Sequence, residues 1–123
     1  MVFLVIRCWL LLCRCDLEMR QRNPRALEEF VSKQATRDGP HVPTCDAICR
    51  AMDYALVFYF RKVWCRHRSA ASTIMLRRFG WEAKMVIGTQ ILPFRSHAWV
   101  EVQGQIVNDK PYMHESYQVL DWC

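Results

Sequence analysis

The apolar positions of this chain follow two rhythms, and the change between them falls at Gly80. Ahead of it the spacing is helical. Val2-Phe3-Leu4-Val5-Ile6-Arg7-Cys8-Trp9-Leu10-Leu11-Leu12-Cys13 is a nearly continuous apolar run, read as a helix that packs into a core or onto a partner. Asn23-Pro24 interrupts it. Asn23 suits a helix cap and Pro24 a first helical position, so a second helix is predicted over Arg25 to Gln34. Asp38-Gly39-Pro40 marks a loop from Thr36 to Pro43. Thr44 or Asp46 then caps a third helix running to about Lys62, where Ile48, Met52, Ala55 and Tyr59 recur at helical spacing and Leu56 and Phe60 widen the stripe. A fourth helix, Cys65 to Phe79, has Ala71, Ile74, Met75 and Phe79 on its apolar face and Gly80 as its stop.

Beyond Gly80 the pattern shortens to strands. Ala83 to Ile87 is an apolar run ended by Gly88, and Ser96-His97-Ala98-Trp99-Val100-Glu101-Val102 alternates after Pro93-Phe94. Gln105-Ile106-Val107-Asn108-Asp109 and Tyr117 to Leu120 supply further strands. Helices followed by an antiparallel sheet predict an α+β domain. With 123 residues and 52% hydrophobic content, one compact domain is the simplest organisation.

Charge and cysteine content narrow the function. The net charge is +5, yet Arg and Lys are scattered from Arg7 to Lys110 without a dense run. That speaks against nucleic acid and for a solvated basic surface suited to an acidic peptide or a membrane face. Seven cysteines, with Cys8, Cys13 and Cys15 crowded together, do not make a secreted disulfide framework; they fit a reducing, cytoplasmic setting. Cys45-x3-Cys49 and Cys65-x-His67 lack a second pair at zinc spacing, so no metal and no cofactor is expected. The N-terminal run is short of the ~20 apolar residues of a spanning helix, is interrupted by Arg7, and lacks the marks of a signal peptide. Loose contact with a membrane surface stays open as a minor reading.

Three residues carry candidate chemistry. Cys65 opens a helix, where unpaired N–H groups and the positive end of the dipole lower a thiol pKa. His97 begins a strand and Asp109 closes the next, which is the plan of a nucleophile, a base and an orienting carboxylate. Each alone has a plainer reading: a buried thiol, a half-buried imidazole, a strand-end turn residue. His67 is a poor substitute base, because two residues along a helix turn its ring about 200° from the thiol. His41 and His114 read as surface residues.

Whether His97 and Asp109 meet depends on the turn at Gln103-Gly104. A two-residue turn pairs Val102 with Gln105, sets His97 opposite Lys110 and points Asp109 to the other face. A type I turn with Gly104 in a bulge pairs Glu101 with Gln105 and sets His97 opposite Asp109, with Ala98, Val100, Val102 and Ile106 gathered on the opposite face. Both turns accept Gly104; the bulged register is the one favoured.

Cys65-x-x-Arg68-Ser69, Leu76-Arg77-Arg78-x-Gly80, Val86-Ile87-Gly88, Pro93-Phe94-x-x-His97-Ala98-Trp99-Val100-Glu101-Val102 and Val107-Asn108-Asp109 together resemble the transglutaminase-like leader peptidases of lasso-peptide biosynthesis. The resemblance covers about Cys65 to Leu120 with order and spacing kept; the helical half fits only in general character. It implies a papain-like cysteine peptidase of 44–123 preceded by an N-terminal helical segment and loop of 1–43. In it, Cys65 would be the nucleophile, His97 the base and then the acid, and Asp109 the orienting group. It also implies a ribosomally made precursor as substrate, a separate leader-recognition protein acting in trans, and a macrolactam synthetase downstream. Arg66 stands where an apolar residue is expected after the nucleophile, and Ser96 where a small apolar one is expected before His97; both bear on pocket shape. Two other functions stay in play: acyl transfer to an amine by the same three residues, and a non-catalytic peptide-binding scaffold.

Overall fold

The computed structural model describes residues 2–21, 24–39, 42–90, 95–108 and 117–123. Among them are helices α1 (Val2–Gln21), α2 (Pro24–Ser32), α3 (Cys45–Val57) and α4 (Cys65–Arg78), followed by strands β1 (Ala83–Gln90), β2 (Arg95–Val102), β3 (Gln105–Ile106) and β4 (Gln118–Trp122). The strands form one antiparallel sheet in the order β3-β2-β1-β4. The architecture is α+β, as the change of rhythm at Gly80 predicts.

Helix α4 is the centre of the molecule. Every residue from Ser69 to Leu76 is buried, because α1, α2, α3, β1 and β2 all pack against it. Small side chains at Ala70, Ala71 and Ser72 let those neighbours approach. One core gathers Leu11 and Leu12 of α1, Leu27 and Val31 of α2, Ile48 and Met52 of α3, Ile74 to Leu76 of α4, and Met85 and Val100 of the sheet. Each such side chain contributes roughly 1.5–3 kcal/mol on leaving water.

The N-terminal apolar run is a core helix. Cys8, Leu11, Leu12 and Cys15 turn inward, while Phe3, Ile6 and Leu10 stay exposed. No helix among the described residues is long and apolar enough to cross a membrane. Thr44 is the cap of α3, its Oγ1 accepting from the Ala47 N–H at 3.2 Å. That helix ends at Val57, short of the predicted Lys62, because the chain beyond it is drawn toward α1. The Phe58 carbonyl accepts from Trp9 Nε1, and Tyr59 and Arg61 both reach Asp16. Phe60, assigned to the buried stripe from spacing, is therefore 70% exposed.

The far end of α4 closes as predicted. Gly80 has φ 91°, Gly80 N–H donates to the Arg77 carbonyl and Trp81 N–H to the Leu76 carbonyl, a Schellman motif. Arg77 adds a second closure by donating from Nη1 to the Val31 and Gln34 carbonyls and from Nε to the Ala83 carbonyl. In the sheet, β1 does not stop at Gly88 but continues to Gln90, with an irregularity between Ile87 and Gly88 in its pairing with β4.

The favoured register of the β2–β3 hairpin is not the one adopted. Val102 pairs with Gln105 and Glu101 with Ile106, and Gln103 (φ 54°) and Gly104 (φ 78°) both lie in the left-handed region, the mark of a two-residue type I′ turn. Packing explains the choice. This register puts Ile106 on the face of Trp99 and Val86, where it covers a small second core, rather than beside Val100 and Val102. Burial of that isoleucine outweighs the strain of a non-glycine residue at positive φ.

Candidate active site

Cys65 is the first residue of α4, and His97 is the third residue of β2. The structure brings them together: the imidazole of His97 hydrogen-bonds to the Cys65 sulfur, as do the backbone N–H groups of Ala98 and Arg66. Burial pushes the thiol up, but the imidazole, through its hydrogen bond and its charge, outweighs this together with the two N–H groups, leaving Cys65 below the ordinary thiol value.

Five other cysteines shift the opposite way. Burial pushes Cys8, Cys15 and Cys49 up to about 12 and Cys123 up to about 11, and it raises Cys45 as well. Against these five, Cys65 is the thiol that its surroundings bias toward thiolate. None of the seven cysteines is in a disulfide. Among the described residues, no group of three or more His, Cys, Asp or Glu side chains is placed to hold a metal ion.

The imidazole of His97 rests on an aromatic platform. Its ring centroid lies 5.5 Å from that of Tyr117 and 6.2 Å from that of Trp99. Trp99 is wholly buried, and its indole N–H donates to the buried Glu101 carboxylate at 2.9 Å. Gly88 pairs directly with His97 across β1–β2, and only a glycine fits there. A Cβ would stand 2.6 Å from the Trp99 ring and 2.9 Å from Tyr117 Cβ. In the sequence this glycine reads as a strand terminator; its real task, making room for two rings beneath the imidazole, depends on neighbours far along the chain.

Asp109 lies outside the described residues, as do His41 and His114. The ladder that was to place Asp109 opposite His97 ends before reaching it. Val107 N–H still donates to the Val100 carbonyl at 3.0 Å, but Val100 N–H is taken by Asn108 Oδ1 at 2.7 Å. Strand register therefore stops governing the chain at Asn108. Asn108 itself is buried and reaches α4, its Nδ2 donating to Ser69 Oγ at 3.4 Å. It ties the strand before Asp109 to the helix that starts with Cys65. Sequence reasoning passed over it, although it sits within the Val107-Asn108-Asp109 motif.

His67 faces away from the thiol, as helix geometry predicts. Its Nδ1 accepts from the Trp64 N–H at 3.2 Å and its Nε2 faces Asp16 Oδ1 at 3.5 Å. Arg66 lines an open cavity of about 830 Å³ together with Glu28, Ile87, Leu120 and Asp121. Its Nη1 lies 3.1 Å from Glu28 Oε1. Arg66 follows Cys65, and Ile87 pairs with Ala98, whose N–H reaches the Cys65 sulfur. Arg66, which stands in place of an apolar residue, gives the cavity a charged wall.

No solved structure matches this chain. A segment of 56 residues, 46% of this chain and 27% of the relative, is 41% identical to the microcin J25-processing protein McjB of Escherichia coli. The matched stretch is thus about a quarter of that relative's length. The transglutaminase-like superfamily matches residues 9–121, which takes in the helical half as well as the strands carrying the motifs. With nearly its whole length accounted for in this way, the chain belongs to the transglutaminase-like superfamily.

Proposed function

We propose that this chain is a cysteine peptidase that removes the leader from a ribosomally made lasso-peptide precursor. The observation that carries the reading is the thiol of Cys65, lowered against its own burial by the His97 imidazole and by backbone N–H groups at a helix start. Partial identity to a protein named for processing microcin J25 supports the substrate class. In this reading the Cys65 thiolate attacks the scissile carbonyl, and His97, protonated in the resting pair, gives its proton to the departing amine. The thioester is then hydrolysed by a water that His97 deprotonates. Asp109 is the carboxylate assigned to orient the imidazole. The positive end of α4 favours the thiolate throughout.

The cavity that Arg66, the residue after Cys65, lines is the proposed seat of the peptide, with the Ile87 and Leu120 side chains as its apolar part. A separate leader-recognition protein is the proposed partner, and a macrolactam synthetase the enzyme that uses the freed amine. A thiolate nucleophile needs a reducing compartment, so the cytoplasm is the proposed location.

The test is to incubate the chain with a precursor encoded beside it and the leader-binding protein, and to weigh the products. Two fragments summing to precursor plus water are expected, and none with Cys65→Ala, which still binds the precursor. A mass adduct with an amine would instead assign acyl transfer, and turnover by Cys65→Ala would remove Cys65 from the mechanism.

A further inference from the structure

The helix start that carries Cys65 has no side-chain oxygen at its cap. Trp64 occupies the cap position, and its own N–H donates to Nδ1 of His67 at 3.2 Å. His67 is the third helical residue, where Glu or Gln ordinarily makes this reciprocal half of a capping box. An imidazole can accept there only with Nδ1 unprotonated, which puts the ring proton on Nε2. That nitrogen faces Oδ1 of Asp16, in α1, at 3.5 Å. Asp16 is held in turn: its Oδ2 accepts from the Tyr59 hydroxyl at 3.2 Å and lies 3.2 Å from Arg61 Nε. His67, in the middle of this chain of contacts, is buried, at 5% exposure. It begins in α1, takes in the connection between α3 and α4, and ends on the N–H immediately ahead of the nucleophile.

We propose that Asp16 and His67 are positioning residues that hold the first turn of α4 in the place where the Cys65 sulfur meets both the His97 imidazole and the Ala98 N–H. This rests on Cys65 as the nucleophile. The sulfur is carried by one element and its partners by another, so a displacement of the helix start by ~1 Å lengthens both hydrogen bonds that favour the thiolate. The chain of contacts requires a neutral His67. Burial holds the ring below its ordinary value, with Asp16 opposing. The other charged or titratable groups around it are Arg20 of α1 and Arg61 and Lys62 of the connection, which line a cavity of about 450 Å³ with Asp16 and His67, and the Tyr59 phenol. Burial and the Asp16 carboxylate raise that phenol, keeping it a donor. A second proton on His67 converts Nδ1 to a donor and releases the Trp64 N–H, so acid loosens the helix start.

The experiment is the pH dependence of Cys65 alkylation by iodoacetamide in the full chain, followed by peptide mass mapping, which needs no substrate. His67→Leu is expected to slow labelling at pH 7 about tenfold, by moving the thiol midpoint up about one unit. His67→Gln keeps an acceptor at the third helical position and is expected to restore the rate to within about twofold. Asp16→Asn, nearly isosteric, is expected to slow it about threefold, an intermediate effect of losing the charge while keeping an acceptor. Profiles that coincide with the parent's in His67→Leu, with the far-UV circular dichroism of the parent retained, overturn the proposal. If His67→Leu does not fold, a parental profile in Asp16→Asn overturns it alone. Failure of the parent chain to cut a precursor, with the alkylation pattern as expected, counts against the peptidase reading and not against this positioning role.

Discussion

The two ends of α4 are closed by opposite strategies. At the C-terminal end the backbone closes on itself, through Gly80 at φ 91° and the Schellman hydrogen bonds of Gly80 and Trp81, and Arg77 adds one near contact to the Ala83 carbonyl and two distant ones to the Val31 and Gln34 carbonyls. At the N-terminal end nearly every partner comes from far along the chain. Trp64 offers no capping oxygen, His67 is braced by Asp16, and the Cys65 sulfur is held by His97 and Ala98. The difference separates stability from chemistry. A helix end that only has to stop can be closed by its own residues, whereas a helix end that has to activate a thiol needs an imidazole and N–H groups from other elements. It also explains why the buried cysteines are pushed up while Cys65 goes down. Cys8 and Cys15 meet mainly burial, and Cys65 meets burial opposed by donors.

Three substitutions test how separate the two ends are. The largest effect is expected from Asp109→Asn, with precursor cleavage lowered by about 10³-fold or more and the thermal midpoint unchanged, since an amide cannot stabilise the imidazolium. A near-parental rate would mean that another group orients His97. Next is Arg77→Ala, which removes three hydrogen bonds from a charged donor to buried carbonyls. A loss of about 3 kcal/mol in urea unfolding is expected, with the Cys65 alkylation rate at pH 7 within about twofold of the parent. A changed alkylation rate in the folded variant would show that the ends are coupled through the helix. The smallest is Gly80→Ala, where a Cβ must adopt positive φ and would stand 3.1 Å from Gly39 backbone atoms. It is expected to cost about 1–2 kcal/mol in the same unfolding measurement. A stability equal to the parent's would mean that Arg77 alone suffices to close that end.

Much of this was readable residue by residue. Pro24 starts α2, Thr44 caps α3, Cys65 opens α4 and Gly80 ends it, because each of these rests on a residue acting on its own backbone neighbours, and β2 covers the predicted stretch. The errors share a cause. Helix α3 stops early because Asp16, far back in α1, draws Tyr59 and Arg61 away. The hairpin takes the two-residue turn because Ile106 is wanted against Trp99 and Val86, although Gln103 is an unfavourable residue for that turn. Gly88 lies inside a strand rather than ending one because the Trp99 ring and Tyr117 Cβ occupy the space of a side chain there.

By itself, then, the order of residues determined the α+β class, the helix that presents Cys65 and the strand that presents His97. It also narrowed the thiol's role, because, of seven cysteines, only Cys45 and Cys65 open a helix, and Cys65 opens the one that leads into the strands. Tertiary structure decided the rest: that the imidazole reaches the sulfur, that Asn108 Oδ1 takes the Val100 N–H, and that Arg66 lines a cavity with Glu28, Ile87 and Leu120. The physical reason is range. Caps, turns and alternation act within a few residues, whereas a thiol pKa is set by groups that only the packing of distant segments brings within hydrogen-bonding distance.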